Sequence, residues 1–163
     1  MDKFQILRLA TGQYIEEHRN IILKGASGNG KTYLACAFGI AACRQFYKVK
    51  YTRLPDLLDD LTVARGEGIF RKVMKQYKKV NLLILDEWLL TPLKGNEARD
   101  LLEIIEARHR IGSTILQFDP QGWHEKIGEE TLADAILDRI VHDSYNILID
   151  GKMSMRERYG VNE

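Results

Sequence analysis

The chain has 163 residues, the size of one ordinary domain. With 45% apolar and 29% charged residues it can bury a core and keep a solvated surface. Its 24 Lys and Arg nearly balance 23 Asp and Glu. The net charge of +1 excludes a polycationic tail and an acidic solvating protein, so any grip on nucleic acid must come from local patches.

No stretch approaches the roughly 18 consecutive apolar residues of a membrane-crossing helix. The start, Met1-Asp2-Lys3-Phe4, lacks the basic and apolar regions of a secretory signal. A cytoplasmic location is therefore expected. The two cysteines, Cys36 and Cys43, fall in one predicted helix about 10 Å apart along its axis, too far for a disulfide. They read as small core residues. The four histidines are scattered, and no His/Cys grouping has metal-ligand spacing.

In chain order, a short apolar strand is predicted over 20–24, then a glycine-rich loop, then a helix over 31–46. That helix is so apolar that it should pack deep against a sheet. A second strand follows over 48–53. Pro55 suits the first turn of a helix over 55–64, which Gly66 closes, and another helix runs over 67–79. The third strand, 80–86, contains Leu82-Leu83-Ile84-Leu85 without a polar break, as a strand covered on both faces should. A helix over 97–110 has Ala98, Leu101, Leu102 and Ile105 at helical spacing. A fourth strand over 113–118 precedes a helix over 132–142, with Thr131 as its cap and Asp134 at the capping-box position. A fifth strand covers 145–150. This alternation predicts an α/β fold built from β-α-β units on a mostly parallel sheet.

Gly25-Ala26-Ser27-Gly28-Asn29-Gly30-Lys31-Thr32 has the form G-x-x-x-x-G-K-[ST] between a predicted strand and a predicted helix. Glycines let such a loop curl so that its N–H groups converge on phosphate oxygens, and the following helix adds its positive end. Lys31 would reach the β- and γ-phosphates, and Thr32 would offer a hydroxyl to Mg²⁺. Asp86-Glu87 closes the apolar third strand, 54 residues after Thr32. Carboxylates at the carboxyl end of a parallel strand face the crevice where ligands bind. Asp86 would hold the Mg²⁺ shell, and Glu87 would orient and deprotonate an attacking water. An acid pair favours water as phosphoryl acceptor, so the motifs predict an ATP hydrolase.

Arg71, Lys72, Lys75, Lys78 and Lys79 fall within roughly 120° of arc on the 67–79 helix, opposite Val73, Met74 and Tyr77. The stripe is either a DNA-backbone contact, with Arg71, Lys72 and Lys75 as its best candidates, or a solvated lysine face. By its residues alone Arg139 reads as an i,i+4 partner of Asp143, and Arg156 as part of a solvated tail. Trp88 and Trp123 read as packing residues.

The run Asn20 to Gly25 through Gly30-Lys31-Thr32-Tyr33-Leu34-Ala35, together with Asp86-Glu87, is similar to the ATPase domain of IstB-like transposition helpers. So are Gln117-Phe118-Asp119-Pro120-Gln121-Gly122-Trp123-His124, Leu137-Asp138-Arg139-Ile140-Val141-His142 and Ser154-Met155-Arg156. These helpers are kin to DnaC-type helicase loaders in the AAA+ initiator clade. The resemblance spans essentially the whole chain. It implies one AAA+ domain over 1–163, a P-loop NTPase core arranged as a three-layer α-β-α sandwich with five strands. It also implies side-by-side assembly on DNA with ATP between neighbours, and an extra helix pair after the second strand. Arg139 is then expected as an arginine finger acting on the adjacent subunit, and Arg156 as a second sensor within its own. Gln117 is expected as the first-sensor polar residue, and Tyr33 as part of the nucleotide-binding run. Two departures stand out. The family's further N-terminal, partner-engaging region is not seen here. The run from Thr114 to Gln117 is also shorter than the family pattern, which leaves the first-sensor register open.

The expected function is an ATP-dependent switch that helps a transposase, with ATP and Mg²⁺ as ligands and DNA, other copies of itself and a transposase or replicative helicase as partners. A helicase loader uses the same engine for another client. A phosphate-loop kinase of small metabolites is the more distant alternative.

Overall fold

The computed structural model describes residues 3–25, 29–118 and 123–149. Ala26, Ser27, Gly28, the stretch 119–122, Asp150 and the segment with Arg156 lie outside the described residues, as do the side chains of Asn29, Phe118 and Trp123.

Five strands form one sheet: β1 (Asn20–Gly25), β2 (Val49–Arg53), β3 (Leu82–Asp86), β4 (Ser113–Phe118) and β5 (Ser144–Ile149). Their order is β2-β3-β4-β1-β5, and every pairing is parallel. The helices are α1 (Lys3–Ala10), α2 (Gln13–Glu16), α3 (Asn29–Arg44), α4 (Leu54–Glu67), α5 (Phe70–Lys79), α6 (Glu97–Arg108), α7 (Trp123–Ile127) and α8 (Glu130–His142).

The two-residue period of the strands divides the core. Leu82 and Ile84 face one layer with Leu34, Phe38 and Ile6, built from α1 to α3. Leu83 and Leu85 face the other with Leu57, Leu101 and Ile136, built from α4 to α8. All of β3 is buried, which is why its sequence carries no alternation. Gly39 lets α3 lie close to the sheet, because a Cβ there would stand 2.8 Å from Ile84 Cδ1. Arg108 is buried without a carboxylate among its hydrogen-bond acceptors. Its guanidinium donates to the carbonyls of Tyr77, Val80 and Ser113 and so fastens α5 to the starts of β3 and β4.

Several predicted details differ. The first inserted helix runs through Gly66 to Glu67 and ends at Gly68, whose φ of +76° is the left-handed conformation that closes helices. The second starts only at Phe70. Thr131 lies inside α8, not at its cap. Glu129 precedes that helix without a side-chain cap bond, and Asp134 instead meets His124 at 2.9 Å. Cys36 and Cys43 are exposed, not core. The short helices α2 and α7, and α1 ahead of the first strand, were not predicted.

Candidate nucleotide site

The site forms where β1, β3 and β4 end. At Gly25 the backbone leaves β1 with φ of +142°, and a Cβ would lie 2.4 Å from the Ile149 carbonyl oxygen. Only glycine fits there. Four residues on, α3 starts, so its first-turn N–H groups and positive end face the same opening. Lys31, in that turn, is buried, and its ammonium donates to the Gly25 carbonyl at 3.1 Å. Among the described residues no carboxylate forms an ion pair with it, so its charge is available to an anion entering the loop.

Thr32, Asp86 and Gln117 converge. The Thr32 hydroxyl lies 3.3 Å from both carboxylate oxygens of Asp86, and the Gln117 amide donates to Thr32 Oγ1 at 3.1 Å and to Asp86 Oδ1. The Glu87 N–H closes onto Asp86 Oδ1 at 2.8 Å. Gln117 thus reaches residues of both the glycine-loop helix and the acid pair. A hydroxyl and a carboxylate side by side are hard oxygen donors of the kind Mg²⁺ takes, so these residues fit a magnesium nucleotide.

Two further residues of the site were missed in the sequence. The Tyr51 hydroxyl donates to Asp86 Oδ2, and the Arg53 guanidinium holds the Glu87 carboxylate while also lying 3.7 Å from Asp56. Burial, with that bond to Asp86, pushes the Tyr51 phenol above its ordinary value, and the bond to Glu87 raises the Arg53 guanidinium. Both sit on β2, where Arg53 lies opposite Asp86 in register. The signal available was their i,i+2 spacing at the end of an edge strand. Glu87 itself has φ of +51°, a turn that swings its carboxylate away from the buried strand. A cleft of about 180 Å³ opens beside it, lined by Leu54, Leu58, Leu89 and Leu93.

Arg139 is not part of this cluster. It lies on α8 by Asn20 and Thr114, where β1 and β4 begin. The length of β1, about 20 Å at some 3.3 Å per residue, separates it from its own phosphate loop. Asp143, the partner expected for it, pairs with Arg110 at 3.4 Å, and Arg139 reaches Asp138. Tyr33 points outward, 54% exposed. Trp88 is buried, as its packing role requires.

The basic stripe is partly engaged. Arg71 and Lys78 both bind Glu103 of α6, at 2.9 and 2.7 Å, and Lys78 foremost holds that carboxyl below its usual range. Lys72 and Lys75 remain exposed. Lys75 depresses the amine of Lys79, the mark of crowded positive charge.

A sequence model of the IstB-like ATP binding protein family matches residues 1–161. A Sinorhizobium fredii protein named as an insertion sequence ATP-binding protein is 42% identical over 160 residues, covering 97% of this chain and 65% of its own length. A second from the same organism is 44% identical over 92% of the chain and 61% of its own length. The chain thus spans under two thirds of these relatives. Among solved structures, the DnaC helicase loader aligns with a TM-score of 0.73 at 21% identity, over 90% of this chain and 86% of that one. AMPPCP-bound DnaA from Aquifex aeolicus gives 0.73 at 21%, over 99% and 50%. These likenesses establish the fold, an AAA+ P-loop core. Among the described residues, no helix is long and apolar enough to cross a membrane.

Proposed function

Because the chain belongs to the IstB-like ATP binding protein family, we propose that it is a single AAA+ domain that binds and hydrolyses ATP as a helper of a transposase. In this reading it assembles on DNA while ATP is bound. The observation that carries the reading is the convergence of Thr32, Asp86 and Gln117 beside the ammonium of Lys31.

The loop from Gly25 to Thr32 would cradle the triphosphate, with Lys31 against its outer phosphates. Thr32 and Asp86 would hold Mg²⁺, which when bound neutralises charge building on the phosphoryl oxygens. Gln117 orients Thr32 and Asp86 and offers an N–H to the γ-phosphate. Glu87 accepts a proton from water as the water oxygen bonds to the γ-phosphorus, and the bond to ADP breaks. Its carboxylate rests on Arg53, so proton transfer requires that pair to loosen. Arg139, remote from its own loop, serves the γ-phosphate held by a neighbouring copy, which makes assembly and hydrolysis interdependent. The segment carrying Arg156 follows β5, whose last residue Ile149 is paired with Gly25. In this reading Arg156, as a second sensor, touches the phosphates held by its own subunit.

The insertion-sequence names of the relatives favour a transposase client, and the DnaC-like fold keeps a replicative helicase as the other. Affinity capture with each client in the presence of ATP separates them. Release of free phosphate, without transfer to a metabolite, separates both from a kinase. Titration of the protein with a fluorescent ATP analogue and Mg²⁺ tests the site itself, and failure of Lys31→Ala to lose binding contradicts it.

A further inference from the structure

The two oxygens of the Asp86 carboxylate are held by different elements. Oδ1 accepts from the Glu87 N–H at 2.8 Å and from the Gln117 amide. Oδ2 accepts from the Tyr51 hydroxyl, and the Thr32 hydroxyl stands 3.3 Å from both oxygens. Among the described residues the Tyr51 hydroxyl has one hydrogen-bond partner, this Oδ2. The length of the side chain matters. Tyr51 pairs in register with Ile84, which lies two residues, about 7 Å, before Asp86 on the same face of the sheet. A tyrosine carries its hydroxyl across that step. A serine or threonine at this place would stop short, and a phenylalanine would bring the ring without the donor. Core packing does not call for the residue, because Tyr51 is 45% exposed on an edge strand. Asp86, by contrast, is buried. A half-exposed ring whose polar tip meets a buried carboxylate serves that carboxylate's orientation.

We propose that Tyr51 is a positioning residue that fixes Asp86 for a small divalent cation, so that the site takes Mg²⁺ in preference to the larger Ca²⁺. The inference rests on the reading of Thr32 and Asp86 as the ligands of that cation. A carboxylate anchored through both oxygens cannot swing freely to offer both of them to one ion. Mg²⁺ demands near-octahedral ligands at about 2.0–2.1 Å. Ca²⁺ accepts about six to eight oxygens at about 2.3–2.6 Å in flexible geometry, both oxygens of one carboxylate included. Hydrogen-bonding partners behind a metal-ligating carboxylate are worth about 10- to 100-fold in metal affinity or activity. Freeing Oδ2 therefore weakens the site for the demanding ion and leaves the tolerant one its choice of geometries. Tyr51 acts through Asp86 alone and touches no reacting atom.

The test measures the affinity of the full chain for the fluorescent ATP analogue in EDTA, in saturating Mg²⁺ and in saturating Ca²⁺. The wild type is compared with Tyr51→Phe, which keeps the ring and removes only the donor. In EDTA the two proteins are expected to bind alike, which shows that the variant is folded and its phosphate loop intact. In Mg²⁺ the variant is expected to bind about tenfold more weakly than the wild type, and in Ca²⁺ within about twofold of it. Steady-state hydrolysis gives a second readout. The KM for Mg²⁺-ATP is expected to rise in the variant while kcat stays at the wild-type value. Wild-type affinity in Mg²⁺, an equal loss with both cations, or a kcat that stays low at saturating Mg²⁺-ATP overturns the proposal and leaves Thr32 and Asp86 as ligands. If neither cation changes the wild type's affinity relative to EDTA, the ligand assignment itself fails, and this inference with it.

Discussion

The Gln117 amide donates to the Thr32 hydroxyl at 3.1 Å across 85 residues of sequence. That bond joins the end of β4 to the first turn of α3 and places both against Asp86. Gln117→Leu keeps the side chain's bulk and removes its donor. Nucleotide affinity is expected to stay within a few fold, while single-turnover hydrolysis falls about 10- to 100-fold, the worth of one lost polar contact to a charged centre. Unchanged turnover removes Gln117 from the reaction.

Arg139→Ala is expected to bind ATP and fail to hydrolyse it, since fingers supplied in trans are worth about 10³–10⁵ in rate in comparable systems. Mixing Arg139→Ala with Lys31→Ala makes the role decisive. Neither is active alone, but the second can lend its arginine to the first's intact loop. Recovered phosphate release in the mixture is the expected outcome, and none at any ratio contradicts a trans role.

Arg53 holds Glu87, and the pair must part for the carboxylate to take a proton. Glu87→Gln is expected to retain ATP and accumulate as a stable assembly. Arg53→Ala is expected to raise turnover measured without DNA, by a few fold, with the affinity for ATP unchanged. A fall in that turnover assigns Arg53 a supporting contact instead.

In the basic stripe, Lys72→Ala with Lys75→Ala is expected to weaken DNA binding and to reduce the slope of affinity against salt by roughly one to two units. Arg71→Ala is expected to do less, because Glu103 already holds its guanidinium. Unchanged affinity in the double variant makes the stripe a solvated face. The same carboxylate predicts a pH effect. Lys78 holds Glu103 below its ordinary value near 4.5, so its contribution to stability is present above that value and fades as pH falls through the lowered one. Acid unfolding of Glu103→Gln should therefore show a shallower dependence on pH below about 4.5 than the wild type, and parallel curves refute the link.

What the sequence disclosed followed from how local each signal is. The buried strand, the glycine loop and the acid pair are each contiguous, and five strands were placed within two residues of their ends. Tyr51 and Arg53 escaped because their meaning depends on the register of β2 against β3, which no local pattern carries. Helix α3 misled for a related reason. Its composition implies burial on all sides, but the sheet can cover only one, and the cysteines taken for core lie on the other. Gly66 and Gly68 were equally plausible stops, and only the chain's turn into α5 selects the second.

Calorimetric titration of Mg²⁺-ATP into the wild type and Lys31→Ala bears most directly on the central claim. The wild type should bind one nucleotide per chain, and loss of the Lys31 ammonium should weaken binding by about 2–3 kcal/mol, roughly 30- to 150-fold. Equal affinity in the two proteins, or no binding by the wild type, would contradict it.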